Sequence, residues 1–160
     1  MTDPNVDTIQ HDPAWLVVET HVPNVSPEET LQWFTDAVKL NQWWGEEALI
    51  EPRPGGMYAV HWPSMGWTMR GVVALCTTDT LIYSWTWDHE PDLPARTVIV
   101  RGEPDGDGTI LTLTHGPYRP SSPSQPGEDE DRAGHREGWL HFLPKLHEAI
   151  ALQGNLRDGS

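Results

Sequence analysis

A series of short β-type patterns, each closed by Gly or Pro turns and followed by one long amphipathic helix, limits this chain more than any other feature. Ala48 to Arg53 stops at Pro54-Gly55-Gly56, and Met57 to Trp62 stops at Pro63-Ser64-Met65-Gly66. Trp67 to Thr77, Thr80 to Trp87 and Ala95 to Arg101 follow, separated by Thr78-Asp79 and by the Pro-containing link Glu90 to Pro94. Asp105-Gly106-Asp107-Gly108 is a hairpin turn signal, and Thr109 to His115 is the last strand pattern. Upstream, Ala14 to Val22 is β-rich, and Ser26-Pro27-Glu28-Glu29 supplies a helix N-cap, a first-position proline and first-turn acids. Leu31, Phe34 and Val38 carry one or two short helices toward Trp43-Trp44-Gly45.

The closing helix is expected from about Asp129 to Gln153. Trp139, Phe142, Leu143, Leu146, Ala149 and Ile150 recur at three- and four-residue spacing and form one apolar stripe. Pro144 lies inside it and predicts a kink, because its ring meets the carbonyl of Leu140. Successive short strands joined by tight turns pair antiparallel, and the resulting sheet must bury one face. The only long amphipathic element is that helix. The predicted class is α+β, a curved antiparallel sheet of about seven strands wrapped around a long C-terminal helix, with one or two short helices after strand 1.

At 160 residues the chain holds one core. Residues 1–13, polar and acidic, are expected to be a disordered leader, 14–153 a single domain, and 154–160 a tail. Within the domain, 116–131 is Pro- and Ser-rich, ends in Glu128-Asp129-Glu130-Asp131, and predicts a flexible acidic loop. Ten Lys and Arg against 24 Asp and Glu leave a net charge of −14. That excludes nucleic acid and anionic membrane surfaces, which need a basic footprint. No apolar run approaches the roughly 20 residues of a membrane span, and the N-terminus has no secretory h-region, so a cytoplasmic location is expected.

Recognised catalytic motifs are missing. There is no Gly-x-Ser-x-Gly and no phosphate loop, and the single Cys76 reads as a structural thiol. His135, His141 and His147 are six apart and point to three sides of a helix. The Asp105 turn lacks the twelfth-position acid of a calcium loop, where Gly116 stands. Neither metal nor cofactor is therefore expected. Glu51 and His115 are the two candidates for general acid/base work, and one acid with one imidazole is not a catalytic constellation.

The aromatic content says more. Trp occurs nine times, against five for Phe and Tyr together. Strand parity puts Leu81, Tyr83, Trp85 and Trp87 on one face, with Tyr58, Val60 and Trp62 on that of their own strand. Trp67, Met69, Gly71, Val73 and Leu75 share a face, as do Leu111, Leu113 and His115. If these faces meet the Trp139 stripe, they form either a solid aromatic core or a ring-lined cavity. In the cavity reading Tyr58, Trp62, Met69, Tyr83, Trp85, His115, Trp139 and Phe142 line it, Trp44 stands near its mouth, and Gly71 and Gly138 leave it room.

The element order and several phrases resemble the START-like, helix-grip (SRPBCC) superfamily, and within it the group homologous to the C-terminal domain of the activator of heat-shock-protein-90 ATPase. The phrases are Ser26-Pro27-Glu28-Glu29, Trp43-Trp44, Arg53-Pro54-Gly55-Gly56, Arg70-Gly71-Val72, Leu81 to Trp85, Gly108 to His115 and His135 to Trp139. The resemblance implies a cavity between sheet and helix that holds a small apolar or aromatic molecule. It also implies two other functions, a cyclase- or hydrolase-like enzyme on the same scaffold or a chaperone-associated interaction module. The co-chaperone role of the name-giving proteins depends on a separate N-terminal domain and is not expected of this chain. A non-catalytic binder is the leading expectation, with a homodimer as the default assembly.

Overall fold

The structure, a computed structural model, describes residues 6–9 and 12–158. Its elements are β1 (Val6–Ile9), β2 (Leu16–Val22), α1 (Pro27–Thr35), α2 (Ala37–Leu40), β3 (Glu47–Ile50), β4 (Met57–Trp62) and β5 (Trp67–Cys76). They continue with β6 (Thr80–Trp87), β7 (Arg96–Asp105), β8 (Gly108–Gly116) and α3 (Asp129–Asp158). The strands form one curved antiparallel sheet in the order β1-β2-β8-β7-β6-β5-β4-β3. The expected α+β architecture is present, with eight strands rather than seven.

The extra strand comes from the N-terminal stretch. Val6, Asp7 and Thr8 pair with Thr20, Glu19 and Val18 along the otherwise open edge of β2. Val6 packs against the core, and the Thr8 hydroxyl accepts a hydrogen bond from Arg136 Nε at 3.1 Å. Residues 6–9 are thus ordered, contrary to the expected leader. The rest of that leader up to residue 11 lies outside the described residues. At the other end α3 runs through Pro144 and on to Asp158, into the expected tail, of which residues 159 and 160 lie outside the described set.

Local chemistry explains the crossover from β2 to the far edge. Ser26 Oγ accepts from Glu29 N at 3.1 Å and caps α1. Asp36, extended at φ −97° and ψ 117°, ends α1 and caps α2 through Val38 N at 2.9 Å. Opposite, the β7–β8 hairpin turns at Gly106, whose φ of +60° suits a two-residue loop. Gly71 on β5 has another purpose. A Cβ there would lie 1.7 Å from the Ser84 carbonyl oxygen, so this glycine permits close strand approach and does not open a cavity.

β5 carries a bulge between Val73 and Leu75. It reverses the parity read from the sequence: Leu75 faces outward at 39% exposure, and Cys76 packs against the core. No helix among the described residues is long and apolar enough to cross a membrane.

The segment 116–131, expected to be flexible, is tied to β7 near both ends. The Arg96 guanidinium, 3% exposed, donates to Pro117 O at 2.7 Å and to the two Glu128 carboxylate oxygens at 3.1 and 2.9 Å. It also donates to Asp131 Oδ2 at 2.8 Å and lies 4.6 Å from the Tyr118 ring centre. These contacts fix where α3 enters the concave face.

Candidate functional site

α3 approaches β1 and β2 more closely than the opposite end of the sheet. The space left over β4–β6 is occupied by rings. Along this stretch α3 carries Gly134 and Gly138, one turn apart on one face, and a Cβ at either would meet no atom within 4 Å. Glycine inside a helix costs up to about 1 kcal/mol relative to alanine, and here two of them face open space. The result is a cavity of about 140 Å³ lined by Trp44, Trp62, Trp85, Trp87, Trp139 and Phe142, with His135, Gly134, Gly138, Met65 and Trp67 completing it. Trp67 and Met65, 41% and 53% exposed, mark the mouth.

Hydrogen bonds hold the indoles in place. Trp62 Nε1 donates to Trp44 O at 2.7 Å, and Trp139 Nε1 donates to His115 Nδ1 at 3.0 Å. Trp87 Nε1 donates to His135 Nε2 at 3.4 Å. An indole N–H can only donate, so in the neutral imidazoles the proton is on His115 Nε2 and His135 Nδ1. His135 Nδ1 then donates to Tyr118 Oη at 2.6 Å. Among the described residues three buried side-chain groups have no hydrogen-bond partner: Trp85 Nε1, His115 Nε2 and Tyr83 Oη. The two imidazoles stack at 4.4 Å and 10°.

Burial is the main cause that keeps both rings neutral. It holds His115 well below the usual imidazole range, with His135 and Arg96 adding to the effect. It brings His135 down to about 4, against an opposing pull from Asp131. An imidazole whose folded pKa is depressed takes its proton more readily in the unfolded chain. Its contribution is therefore complete above about 6.5 and is lost as pH falls toward the folded value. For His135 the gap between 6.5 and 4 corresponds to about 3 kcal/mol. His115 and the half-buried His147, also lowered by burial, act in the same direction. Urea denaturation between pH 7.5 and 4.5 should show stability falling from about pH 6.5, above the carboxylate range. A flat profile down to pH 5 would contradict the buried neutral pair.

Of the nine residues expected to line a cavity, Trp44, Trp62, Trp85, Trp139 and Phe142 do so. Trp44 is not at the mouth. It is 4% exposed and packs at 5.1 Å on Trp139 and 5.7 Å on Trp85. Tyr58, Met69 and Tyr83 are in the solid core instead. Tyr58 stacks on Tyr83 at 3.9 Å and donates to Phe34 O at 2.7 Å, and Met69 is fully buried. His115 lies behind Trp139 and His135 and does not reach the cavity surface. Parity had chosen the correct face for all four, but parity says nothing about height along a strand. Tyr58 and Tyr83 pair with Gly71 and Val73, while Trp62 and Trp87 pair with Trp67 and Met69 at the other end.

The sequence reading missed Met65, Trp67, Trp87, Gly134 and His135. Trp87 had the right parity, and the pairs Gly134/Gly138 and His135/Trp139 could have been found from their four-residue spacing. The two acid/base candidates are far apart in role. Glu51, on the exposed β3–β4 turn, accepts from Met57 N at 3.0 Å and from Arg53 at 2.9 Å, while His115 is fully buried.

The profile of the family described as Activator of Hsp90 ATPase homolog 1-like protein matches residues 24–151. No curated protein matches the sequence. Among solved structures, a protein from Rhodobacter sphaeroides is similar with a TM-score of 0.74 at 19% identity, covering 93% of this chain and 99% of its own. CalU16 from Micromonospora echinospora gives 0.61 at 21% identity, over 94% and 88% of the two chains. PFC0360w, an HSP90 activator from Plasmodium falciparum, gives 0.68 at 22% identity, over 86% and 96%. At such identities the likeness shows the shared helix-grip fold.

Proposed function

This chain belongs to the Activator of Hsp90 ATPase homolog 1-like family, and from that membership we propose that it binds a small apolar or aromatic molecule between its sheet and α3. The observation that carries this reading is the ring-lined space opposite Gly134 and Gly138. Its volume of about 140 Å³ exceeds that of a trapped water many times. It is close to the roughly 150 Å³ of an apolar cavity that takes up benzene, so a group the size of one six-membered ring fits. The placement of the titratable groups supports a non-catalytic role. Glu51 is on an exposed turn and the cavity's imidazole, His135, is neutral with both nitrogens engaged.

Native mass spectrometry of the purified protein should reveal a retained small molecule, or reversible uptake of p-cresol or indole. Gly138→Leu, which fills the space from the helix side, should abolish uptake while leaving the circular dichroism spectrum unchanged. Equal uptake by this variant and the parent would contradict the site.

A second reading, a chaperone-associated module, draws on the description of PFC0360w and on an exposed apolar surface. Leu49, Met57 and Val72 are 58%, 45% and 53% exposed on the outer face of β3, β4 and β5, at the β3 end of the sheet. A stable complex with a chaperone that is lost in Met57→Lys and unaffected by Gly138→Leu would favour it.

A further inference from the structure

We propose that the group held in this cavity is a methylated ammonium, the head of a small quaternary or trimethylated amine, caged by indole faces. This deepens the binding role proposed above and rests on it. An apolar cavity for a neutral ligand can be built from leucine and isoleucine, which pack well and need no polar partner. Here six of the nine tryptophans line one space. What indole faces add over aliphatic walls is a negative electrostatic potential, which attracts cations and is strongest for Trp.

The shape points the same way. Trp44 lies at 30° to Trp85 and 33° to Trp139, but the remaining rings turn across that direction. Trp85 and Trp87 meet at 90°, Trp44 and Trp62 at 73°, and Trp67 and Trp87 at 65°. Differently oriented faces around about 140 Å³ suit a compact, rounded group.

Charge agrees as well. Among the described residues no Lys or Arg lines the cavity, and His135 is its one titratable side chain. Burial keeps that imidazole neutral near pH 7, so it presents no opposing charge. Behind it lies Asp131 Oδ1, 3.8 Å from His135 Nε2, in a cluster where two carboxylates share the Arg96 guanidinium. At the mouth, His89 stacks on Trp67 at 5.2 Å, beside Glu90 at 3.8 Å. A chain of net charge −14 adds a long-range bias toward cations.

The test is calorimetric titration of the whole protein with choline and with 3,3-dimethylbutan-1-ol, its neutral carbon counterpart of the same shape. Choline should bind saturably and at least about tenfold more tightly. Trp67→Leu, at the exposed mouth, should weaken choline several-fold more than it weakens the neutral alcohol. Glycerophosphocholine binding in place of choline would still put the methylated ammonium in the cage and assign its source to a lipid headgroup. Equal affinity for choline and the alcohol, or equal losses in Trp67→Leu, would overturn the cation assignment and leave the apolar binding role standing. Saturable binding by none of these compounds, nor by p-cresol or indole, would overturn both.

Discussion

Replacing Arg96 with alanine should destabilise the protein by about 3–5 kcal/mol, because it leaves two mostly buried carboxylates without their shared cation. Glu128 and Asp131 are 10% and 19% exposed, and both hydrogen-bond to Arg96. The loss would extend beyond the ion pairs, since Arg96 also donates to Pro117 O and packs on Tyr118. Equilibrium urea unfolding measures the change directly. Replacing the whole cluster at once, as Arg96→Met with Glu128→Gln and Asp131→Asn, should recover much of it, because no uncompensated charge remains. Glu128 also gives a sign that can be checked. Its pKa is lowered chiefly by the Arg96 hydrogen bond, so its contribution is present above the ordinary carboxylate range and is lost as pH falls through the depressed value. A cost below about 1 kcal/mol for Arg96→Ala would mean that the cluster is hydrated and does not anchor α3.

Trp139→Ala should cost a similar amount, about 3–5 kcal/mol, for a different reason. Its indole is 3% exposed and packs at 5.1 Å on Trp44 and 5.9 Å on Trp85. Truncation also removes the donor to His115 Nδ1 and leaves that buried imidazole with no hydrogen bond on either nitrogen. The cavity would grow, so the ligand preference should move toward larger groups as stability falls. Thermal melting with p-cresol and with naphthalene-sized probes reads both effects together. A stability loss with no change in size preference would place Trp139 in the core only.

The sheet and its covering helix were legible because their signals are local and repeated. Turn residues delimit β4 to β8, Ser26 and Pro27 open α1, and the Trp139-to-Ile150 stripe marks the buried face of α3. Strand parity then named the correct face for every aromatic on β4 and β6. It failed on β5 beyond Val73, where a bulge turns Leu75 outward and Cys76 inward. Bulges change register without a strong residue signature. β1 was missed because Val6 to Ile9 is too short to read as a strand and becomes one only against the edge of β2. Within the site, parity cannot separate Tyr58 and Tyr83, packed together in the core, from Trp62 and Trp85 four and two residues further along. The separation depends on how α3 leans across the sheet, and Arg96 with Glu128 and Asp131 sets that lean through contacts more than thirty residues apart.

The most direct test of the central claim is a ¹⁵N-labelled nuclear magnetic resonance titration that follows the indole Nε1–H signals. The added compounds would be p-cresol, indole and choline. Binding in the cavity predicts saturable shifts for Trp44, Trp62, Trp85, Trp87 and Trp139, with Trp67 responding at the mouth, while Trp15 and Trp33, which do not line it, stay fixed. Shifts confined to Trp15 and Trp33, or none in any indole at saturating concentrations of all three compounds, would contradict it.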